Sequence, residues 1–326
     1  MVETAKKGRG FNKDTDFLLI FLPILAAVTF FILVLSDKFN IKLFEKNFVK
    51  EVVYQRNIEN TEKGARPVIK DEIGYTNAEI KFEELTKKLT IEPGFYGLYI
   101  KDIGSGMELK YNEKSEFYTA SLYKVPIAAA VLKEVEKGKL SLDDTATYLP
   151  YDYAAGTGVI GGYSHGIQLK IREILTELLK NSDNTAQNIL LRTLSYKNIQ
   201  DTFDTVVPDK DTSTFYRYNL STPYEIGKVI EELYFGKYLN SQHKQYLFDL
   251  MTDTSFEDRI SPYLEENLIF SHKIGNWPES WHDCGVVKST VTESELIVCL
   301  MSQKAPYENF LNAAKVTAEF INTIMD

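Results

Sequence analysis

The chain has 326 residues, 44% of them hydrophobic, and a formal net charge of −9 at pH 7, so it can bury a substantial core in one large domain or two small ones. The acidic balance, without any clustered basic surface, argues against nucleic acid as a partner. Two cysteines and four scattered histidines have no metal-ligand spacing, and we expect neither a metal nor a cofactor.

The N-terminal part of the chain predicts a membrane anchor. Residues 1–16 are a short polar tail, and residues 17–35 are uncharged and almost wholly apolar. About 19 residues, roughly 28 Å as a helix, are enough to cross a bilayer core. With no small-x-small cleavage site before Ser36 and no lipobox cysteine, an uncleaved signal anchor is favoured over a cleaved signal peptide. Lysines on both sides leave its orientation undecided, and residues 36–77 are interpreted as a stalk.

Residues 78–326 predict a folded domain with strands at both ends and helices between them. Apolar spacing and turn residues give helices at 79–89, 171–179, 222–233 and 309–325, and strands at 95–101, 107–111, 268–273, 281–287 and 295–301. This order predicts an α+β fold, in which both ends of the domain build one antiparallel sheet flanked by helices. An all-α middle subdomain is expected over about residues 121–265.

The two cysteines lie on the last two predicted strands. These strands form a hairpin that turns near Val291 and Thr292, so Cys284 and Cys299 can face each other. Two buried free thiols are favoured over a disulfide.

A serine three residues before a lysine stands where the middle of the domain begins. Ser121 and Lys124 open a predicted helix that ends at Gly138, and a spacing of three places them on one face, close enough for the amine to accept the hydroxyl proton. Because Ser-x-x-Lys is common by chance, the pattern carries weight only together with other motifs.

Two further motifs follow in order. Ser182-Asp183-Asn184 interrupts two apolar helical stripes, and Lys273-Ile274-Gly275 ends a strand. With Ser-x-x-Lys, this set resembles the motifs of the serine β-lactamase and penicillin-binding protein superfamily, most closely the class A β-lactamase-like branch. The resemblance extends from about Glu79 to the C-terminus, and residues 181–186, 220–223 and 282–287 also have sequences similar to those of the family.

The resemblance implies a catalytic set. Ser121 would be the nucleophile and Lys124 its base, which must be neutral part of the time. Ser182 would relay a proton to the departing nitrogen, and Lys273 would hold Ser182 and attract a substrate carboxylate. Asp183 is expected to fix the turn rather than take part in the chemistry.

The same resemblance implies a substrate-binding set. Asn184 would hold the substrate amide carbonyl and Lys124, and Gly275 would lie along the substrate. The backbone N–H groups of Ser121 and Asn276 would meet the oxyanion. The Gly-rich segment 156–162 lacks the ending of a phosphate loop and is interpreted as a loop at the rim of the cleft. Three further side chains either line this cleft or are ordinary surface: Tyr163, His165 and Trp277.

Two departures from the family pattern limit the predicted activity. No Glu occurs between Asn184 and Ser221, where class A β-lactamases carry the Glu that activates water, so fast deacylation is not expected. Ile274 stands where the family has Thr or Ser, which removes a hydrogen bond of about 1 kcal/mol or more. An exposed Ile there would favour a less polar ligand.

Three functions remain open. The first is a membrane-anchored serine hydrolase that forms an acyl-enzyme with β-lactams or related amides. The second is a D-alanyl-D-alanine carboxypeptidase, a penicillin-binding protein that acts on peptidoglycan stem peptides. The third is a non-catalytic module that binds cell wall or β-lactams. In each case the expected location is a bacterial cell membrane, with the domain outside the cytoplasm.

Overall fold

The computed structural model describes residues 72–207, 215 and 217–325, so the predicted tail and membrane anchor lie outside the described residues. The helices in this part of the chain are α1 (Glu72–Ile91), α2 (Lys124–Glu136), α3 (Ile171–Lys180), α4 (Asn184–Thr193), α5 (Tyr196–Val206), α6 (Pro223–Tyr234), α7 (Ser241–Leu250) and α8 (Tyr307–Met325). None of these described helices is long and apolar enough to cross a bilayer.

Five strands form one antiparallel sheet in the order β2-β1-β9-β8-β7. Their bounds are β1 (Phe95–Asp102), β2 (Glu108–Tyr111), β7 (Leu268–Trp277), β8 (Ser280–Ser289) and β9 (Glu295–Gln303). Four short strands make two separate pairs, β3 (Phe117–Tyr118) with β6 (Leu220–Ser221) and β4 (Thr145–Thr147) with β5 (Gln168–Lys170). The predicted α+β fold, with a sheet built from both ends of the domain, is confirmed.

The sheet separates two hydrophobic cores because successive side chains of a strand point to opposite faces. On β1, Tyr99 belongs to the core shared with the middle helices, whereas Leu98 and Ile100 belong to the core shared with α1 and α8. The central strand β9 alternates in the same way and is almost completely buried. The two helical layers therefore lie on opposite faces of one sheet.

Local sequence signals set several helix boundaries. The hydroxyl of Thr222 accepts a hydrogen bond from the Glu225 N–H at 3.1 Å, and Pro223 is the first residue of α6, as the capping box predicted. Helix α1 begins at Glu72, earlier than predicted, so the last residues assigned to the stalk are helical. Helices α5 and α7 were not predicted from the sequence.

The cysteine pair differs from the favoured expectation. The predicted hairpin is confirmed, and Cys284 on β8 lies directly opposite Cys299 on β9. The two residues form a disulfide, with their Cα atoms 4.0 Å apart. The preference for free thiols was wrong because a directly opposed antiparallel pair brings two side chains on one face within bonding reach.

A buried ion-pair cluster joins β7 to β8 beside the disulfide. The His272 ring contacts the carboxylates of Asp283 at 2.5 Å and Glu257 at 3.1 Å, and it stacks on Phe270. Burial opposes the positive charge, but the interactions with Asp283 and then Glu257 outweigh it and raise the pKa of His272 to about 9. The imidazolium is therefore the stable form at neutral pH.

This cluster predicts a pH dependence of stability. Because the folded-state pKa exceeds the ordinary value of 6.5, the stabilisation is complete below pH 6.5 and is lost as pH rises through about 9. The loss amounts to about 3 kcal/mol of unfolding free energy. Denaturant unfolding between pH 6 and 10 measures it as the difference in unfolding free energy between wild type and His272→Gln, which should shrink by about this amount. Burial lowers the pKa values of Lys124 and Lys273, and their opposing slope is common to both proteins. His243→Gln should keep the wild-type slope. An unchanged slope in His272→Gln would contradict the assignment.

Candidate active site

The segment that carries Ser121 is a short 3-10 helix over Ala120–Tyr123, which leads directly into α2. Ser121 is half-buried, and its hydroxyl has no hydrogen-bond partner among the described residues. Its backbone N–H lies in the first turn of the helix, where such groups lack an intrahelical acceptor. The nucleophile candidate thus presents both a free hydroxyl and a free N–H.

Asn219 fixes the backbone just before Ser121. The N–H of Thr119 donates to the Asn219 carbonyl at 2.9 Å, and the Thr119 hydroxyl donates to the Asn219 side-chain oxygen. The Asn219 amide donates to the Ala120 carbonyl at 3.1 Å. Ala120 has a φ of 51°, an unfavourable conformation for a residue with a Cβ. The contacts of Asn219 hold this strained backbone in place.

His282 holds the same segment from the sheet. Its Nε2 donates to the Tyr118 carbonyl at 2.7 Å, and its Nδ1 accepts from the Ser302 N–H at 3.3 Å. Complete burial lowers the pKa of His282 to about 4, so the ring is neutral and can do both. Gly275 makes the close approach possible, because a Cβ there would lie 2.7 Å from both the His282 ring and the Thr119 carbonyl.

Lys124, Ser182 and Lys273 form a hydrogen-bonded chain. The Nζ of Lys124 lies 3.2 Å from the Ser182 hydroxyl, and the Nζ of Lys273 lies 3.0 Å from the same oxygen. Lys124 also donates to the Ser182 carbonyl at 2.5 Å and to the Asn184 side-chain oxygen at 2.7 Å. Lys124 and Lys273, which are 149 positions apart in the sequence, therefore meet at the Ser182 hydroxyl, so that all three motifs contribute to one cluster.

The predicted Ser121–Lys124 hydrogen bond is absent from the described structure, since the Lys124 amine is directed to Ser182 and Asn184. Catalytic hydrogen bonds are often long in ligand-free proteins. The two residues remain one helical turn apart, as the spacing predicted.

Burial controls the charge of both lysines. It lowers the pKa of Lys124 to about 7, although the nearby charge of Asp183 acts in the opposite direction. Burial, followed by the repulsion of Lys124 and Arg259, holds the pKa of Lys273 well below its usual value. At neutral pH a substantial fraction of Lys124 is therefore uncharged, which a general base requires.

Asp183 serves the fold, as predicted. One oxygen caps α4 by accepting from the Ala186 N–H at 2.8 Å. The other accepts from the N–H groups of Val159 and Ile160 at 2.7 and 2.8 Å. These bonds tie the Gly-rich loop to the Ser-Asp-Asn turn, in which Ser182 has a φ of 51°.

The Gly-rich loop also contacts Asn184. The Asn184 amide donates to the Ala155 carbonyl at 2.8 Å, and a Cβ at Gly156 would lie 2.5 Å from that amide nitrogen. The loop therefore borders the site, as the sequence indicated. Tyr163 and His165 lie exposed further along it, and the His165 ring packs on Tyr148 instead of the catalytic set.

β7 is the edge strand of the sheet and extends four residues beyond its predicted end. The His272 N–H points away from β8, to the Met251 carbonyl at 2.7 Å. By the two-residue period of a strand, the N–H of Asn276 points to the same open side. Gly275 and Asn276 are thus placed where a substrate can lie against the edge.

Ile274 does not have the predicted exposure. It is only 2% exposed and points to the face of the sheet opposite Lys273, because adjacent strand residues alternate. Its cross-strand partner on that face is Asp283. The expectation of an exposed apolar side chain that favours a less polar ligand was therefore wrong.

Arg259 is a site residue that the sequence did not reveal. Its buried guanidinium donates to the carbonyls of Gly275 and His282, at 3.3 and 2.5 Å, and to the side-chain oxygen of Asn276. It thereby supports the end of β7 and adds a third positive charge near Lys273. No motif surrounds this arginine in the sequence, and only its burial in the fold distinguishes it.

The model of a family described as Beta-lactamase enzyme family matches residues 81–325. Beta-lactamase VEB-1 of Pseudomonas aeruginosa is 27% identical over 226 residues, which cover 62% of this chain and 74% of that protein. A β-lactamase of Bacillus subtilis (strain 168) is 38% identical over 121 residues, 35% of each chain.

Solved structures share the fold. PBP-A has a TM-score of 0.66 at 20% identity, covering 75% of this chain and 96% of that chain. A β-lactamase from Chitinophaga pinensis DSM 2588 has a TM-score of 0.67 at 21% identity, covering 76% and 100%. A PBP-A mutant in an acyl-enzyme complex with penicillin G has a TM-score of 0.65 at 21% identity, covering 76% and 97%.

These matches define a class of protein, the serine hydrolases of the β-lactamase and penicillin-binding superfamily, and they confirm the resemblance drawn from the motifs. Within that class, the chain belongs to the β-lactamase enzyme family.

Proposed function

We propose that Ser121 forms an acyl-enzyme with β-lactams or related amides. The observation that carries this proposal is the chain of hydrogen bonds that links the amines of Lys124 and Lys273 through the Ser182 hydroxyl. A purely structural cluster would not bury two lysine amines against one hydroxyl, because burying unpaired cations is costly. A non-catalytic module has no need for this arrangement.

The first step uses the neutral form of Lys124. As the Ser121 oxygen attacks the carbonyl carbon, its proton passes to the Lys124 amine. Lys124 then gives a proton to Ser182, and Ser182 gives its own to the departing nitrogen when the C–N bond breaks. The protons balance: the amide nitrogen gains the one that Ser121 lost, and Lys124 returns to its neutral state.

The substrate is held at both ends of the reacting bond. Lys273 in its protonated form attracts a carboxylate on the leaving-group side, and a bound carboxylate raises the lowered pKa of Lys273 again. The N–H groups of Ser121 and Asn276 stabilise the oxyanion. Asn184 supports the substrate amide with the side chain that also contacts Lys124.

The second step, hydrolysis of the acyl-enzyme by water, is slow in this proposal. Asp183 is the described carboxylate whose charge acts on Lys124, and both of its oxygens already accept backbone hydrogen bonds. No Glu lies between Asn184 and Ser221 in the sequence. With that Glu missing from the sequence and Asp183 engaged by the backbone, we expect the acyl-enzyme to persist, which favours a penicillin-binding protein over a rapid β-lactamase.

A D,D-carboxypeptidase acting on peptidoglycan stem peptides is the second candidate. The same missing carboxylate favours it, and so does the likeness to PBP-A, whose mutant is described with penicillin G as an acyl-enzyme. We further propose that residues 17–35 anchor the chain in a bacterial membrane, with the domain outside the cytoplasm. The Cys284–Cys299 disulfide supports an oxidising location.

A reporter penicillin incubated with the full chain in detergent tests the function. We expect one adduct per chain, located at Ser121 by mass spectrometry, that persists after the free compound is removed. Rapid turnover would instead identify a β-lactamase. D-Ala release from a pentapeptide mimic would identify the carboxypeptidase. No adduct, with wild type and Ser121→Ala behaving alike, would overturn the catalytic proposal.

A further inference from the structure

An exposed indole stands at the end of β7 beside the candidate site. Trp277 is 55% exposed, although it directly follows the proposed oxyanion donor Asn276. Its ring packs on that of Tyr118, with the ring centroids 5.0 Å apart and an angle of 58° between the planes. Tyr118 in turn precedes Ser121 by three residues, so the ring pair adjoins the nucleophile segment.

The indole lies on the catalytic face of the sheet. Alternation along β7 places Trp277 on the same face as Lys273 and Gly275. The contact with Tyr118 agrees with this placement, because Thr119 passes directly over Gly275. One face of the Trp277 and Tyr118 pair is supported by the fold, and the exposed part of the indole is free for a ligand.

The order of residues along β7 indicates which part of a substrate reaches the indole. Lys273 is the proposed site for the carboxylate on the leaving-group side, and the Asn276 N–H marks the position of the reacting carbonyl. Trp277 lies beyond that carbonyl, about 13 Å along the strand from Lys273. The substituent nearest Trp277 is therefore the one on the acyl side of the bond that breaks.

We propose that Trp277 and Tyr118 form an acyl-side platform that selects substrates with a flat aromatic acyl substituent. The inference rests on the proposed acylation of Ser121 and adds a substrate class to it. An aromatic ring gains stacking or edge-to-face contact with the indole, whereas a short alkyl group gains little. Because Tyr118 supports the indole, little side-chain freedom is lost when a ligand binds.

Two penicillins that share a nucleus but carry a phenylacetyl or a short alkyl acyl group provide the test. The second-order rate constant for acylation is measured with the full chain and its variants. For Trp277→Ala we expect a loss of about fivefold with the phenylacetyl compound and less than about twofold with the alkyl compound. Trp277→Phe should restore most of the difference.

Ile269→Ala is the matched control, because Ile269 is an apolar residue on the same strand, 43% exposed and remote from the site end. It should leave both rate constants unchanged. Equal losses with both penicillins in Trp277→Ala, or no loss with either, would overturn the platform while leaving acylation intact. Failure of both compounds to label wild-type Ser121 would overturn the proposed function, and the platform with it.

Discussion

Replacing Ser121 by Ala is expected to abolish covalent labelling by penicillins. The hydroxyl of Ser121 is the only group proposed to bond to the substrate carbonyl, and Ala offers no nucleophile in its place. Labelling is therefore expected to fall to the background of the assay, while the thermal midpoint changes little, because the hydroxyl makes no hydrogen bond with the described residues. Intact-protein mass spectrometry after incubation with penicillin G measures the result.

Ser115→Ala is the control for this experiment. Ser115 is also half-buried and lies six residues earlier in the chain, outside the catalytic set. It should label as wild type does. Persistent labelling of Ser121→Ala at another residue would show that the acyl group resides elsewhere and that the assignment of the nucleophile is wrong.

Replacing Lys124 by Met is expected to slow acylation by about 10²- to 10⁴-fold, the usual contribution of a general base. Met retains much of the volume at this buried position but cannot accept a proton. In the wild type, burial lowers the pKa of Lys124 to about 7. The neutral base becomes more abundant as pH rises through 7, so the wild-type acylation rate should rise there and level off above it, and the variant should lack this step.

Lys133→Met on the same helix is the matched control. Lys133 also donates to a backbone carbonyl, that of Tyr238, but it lies away from Ser182. Its pH profile and rate should equal those of wild type, with folding of both variants checked by circular dichroism. A Lys124→Met variant that keeps the wild-type pH step would exclude Lys124 as the titrating base.

Local sequence patterns were sufficient to predict the sheet and the main helices. They also pointed to four polar residues of the candidate site: Ser121, Lys124, Ser182 and Lys273. The apolar stripe over residues 171–179 and the capping box at Thr222 depend only on neighbours in sequence, and both predict real boundaries. The three motifs identified residues that meet, although Lys273 lies within β7 and not, as had been predicted, at the end of that strand. Such signals can be recognised without any knowledge of the tertiary fold.

Contacts between distant residues were not predictable in this way. Asn219 and His282 fix the backbone before Ser121 from positions about 100 and 160 residues away, and a lone Asn or His carries no pattern. Arg259 was missed for the same reason. The burial of Ile274 was missed because the strand was predicted to end near this residue, whereas β7 continues to Trp277.

The sequence favoured free thiols over a disulfide because whether the two cysteines can bond depends on the register between β8 and β9. The hairpin turn was located correctly, but a shift of one residue would have placed the two sulfurs on opposite faces. The observed register pairs Cys284 with Cys299 and so places both sulfurs on one face. The bond lies on the same face as Lys273, which is the cross-strand partner of Cys284.

Lys124 and Lys273 share the Ser182 hydroxyl, but the proposed mechanism requires them in opposite protonation states. An anionic ligand binds best when Lys273 is protonated, and by thermodynamic reciprocity its binding draws a proton from solvent. Attack by Ser121 needs Lys124 unprotonated, in a cluster where both amines have lowered pKa values. Acidification favours capture of the ligand and alkalinisation favours reaction with it.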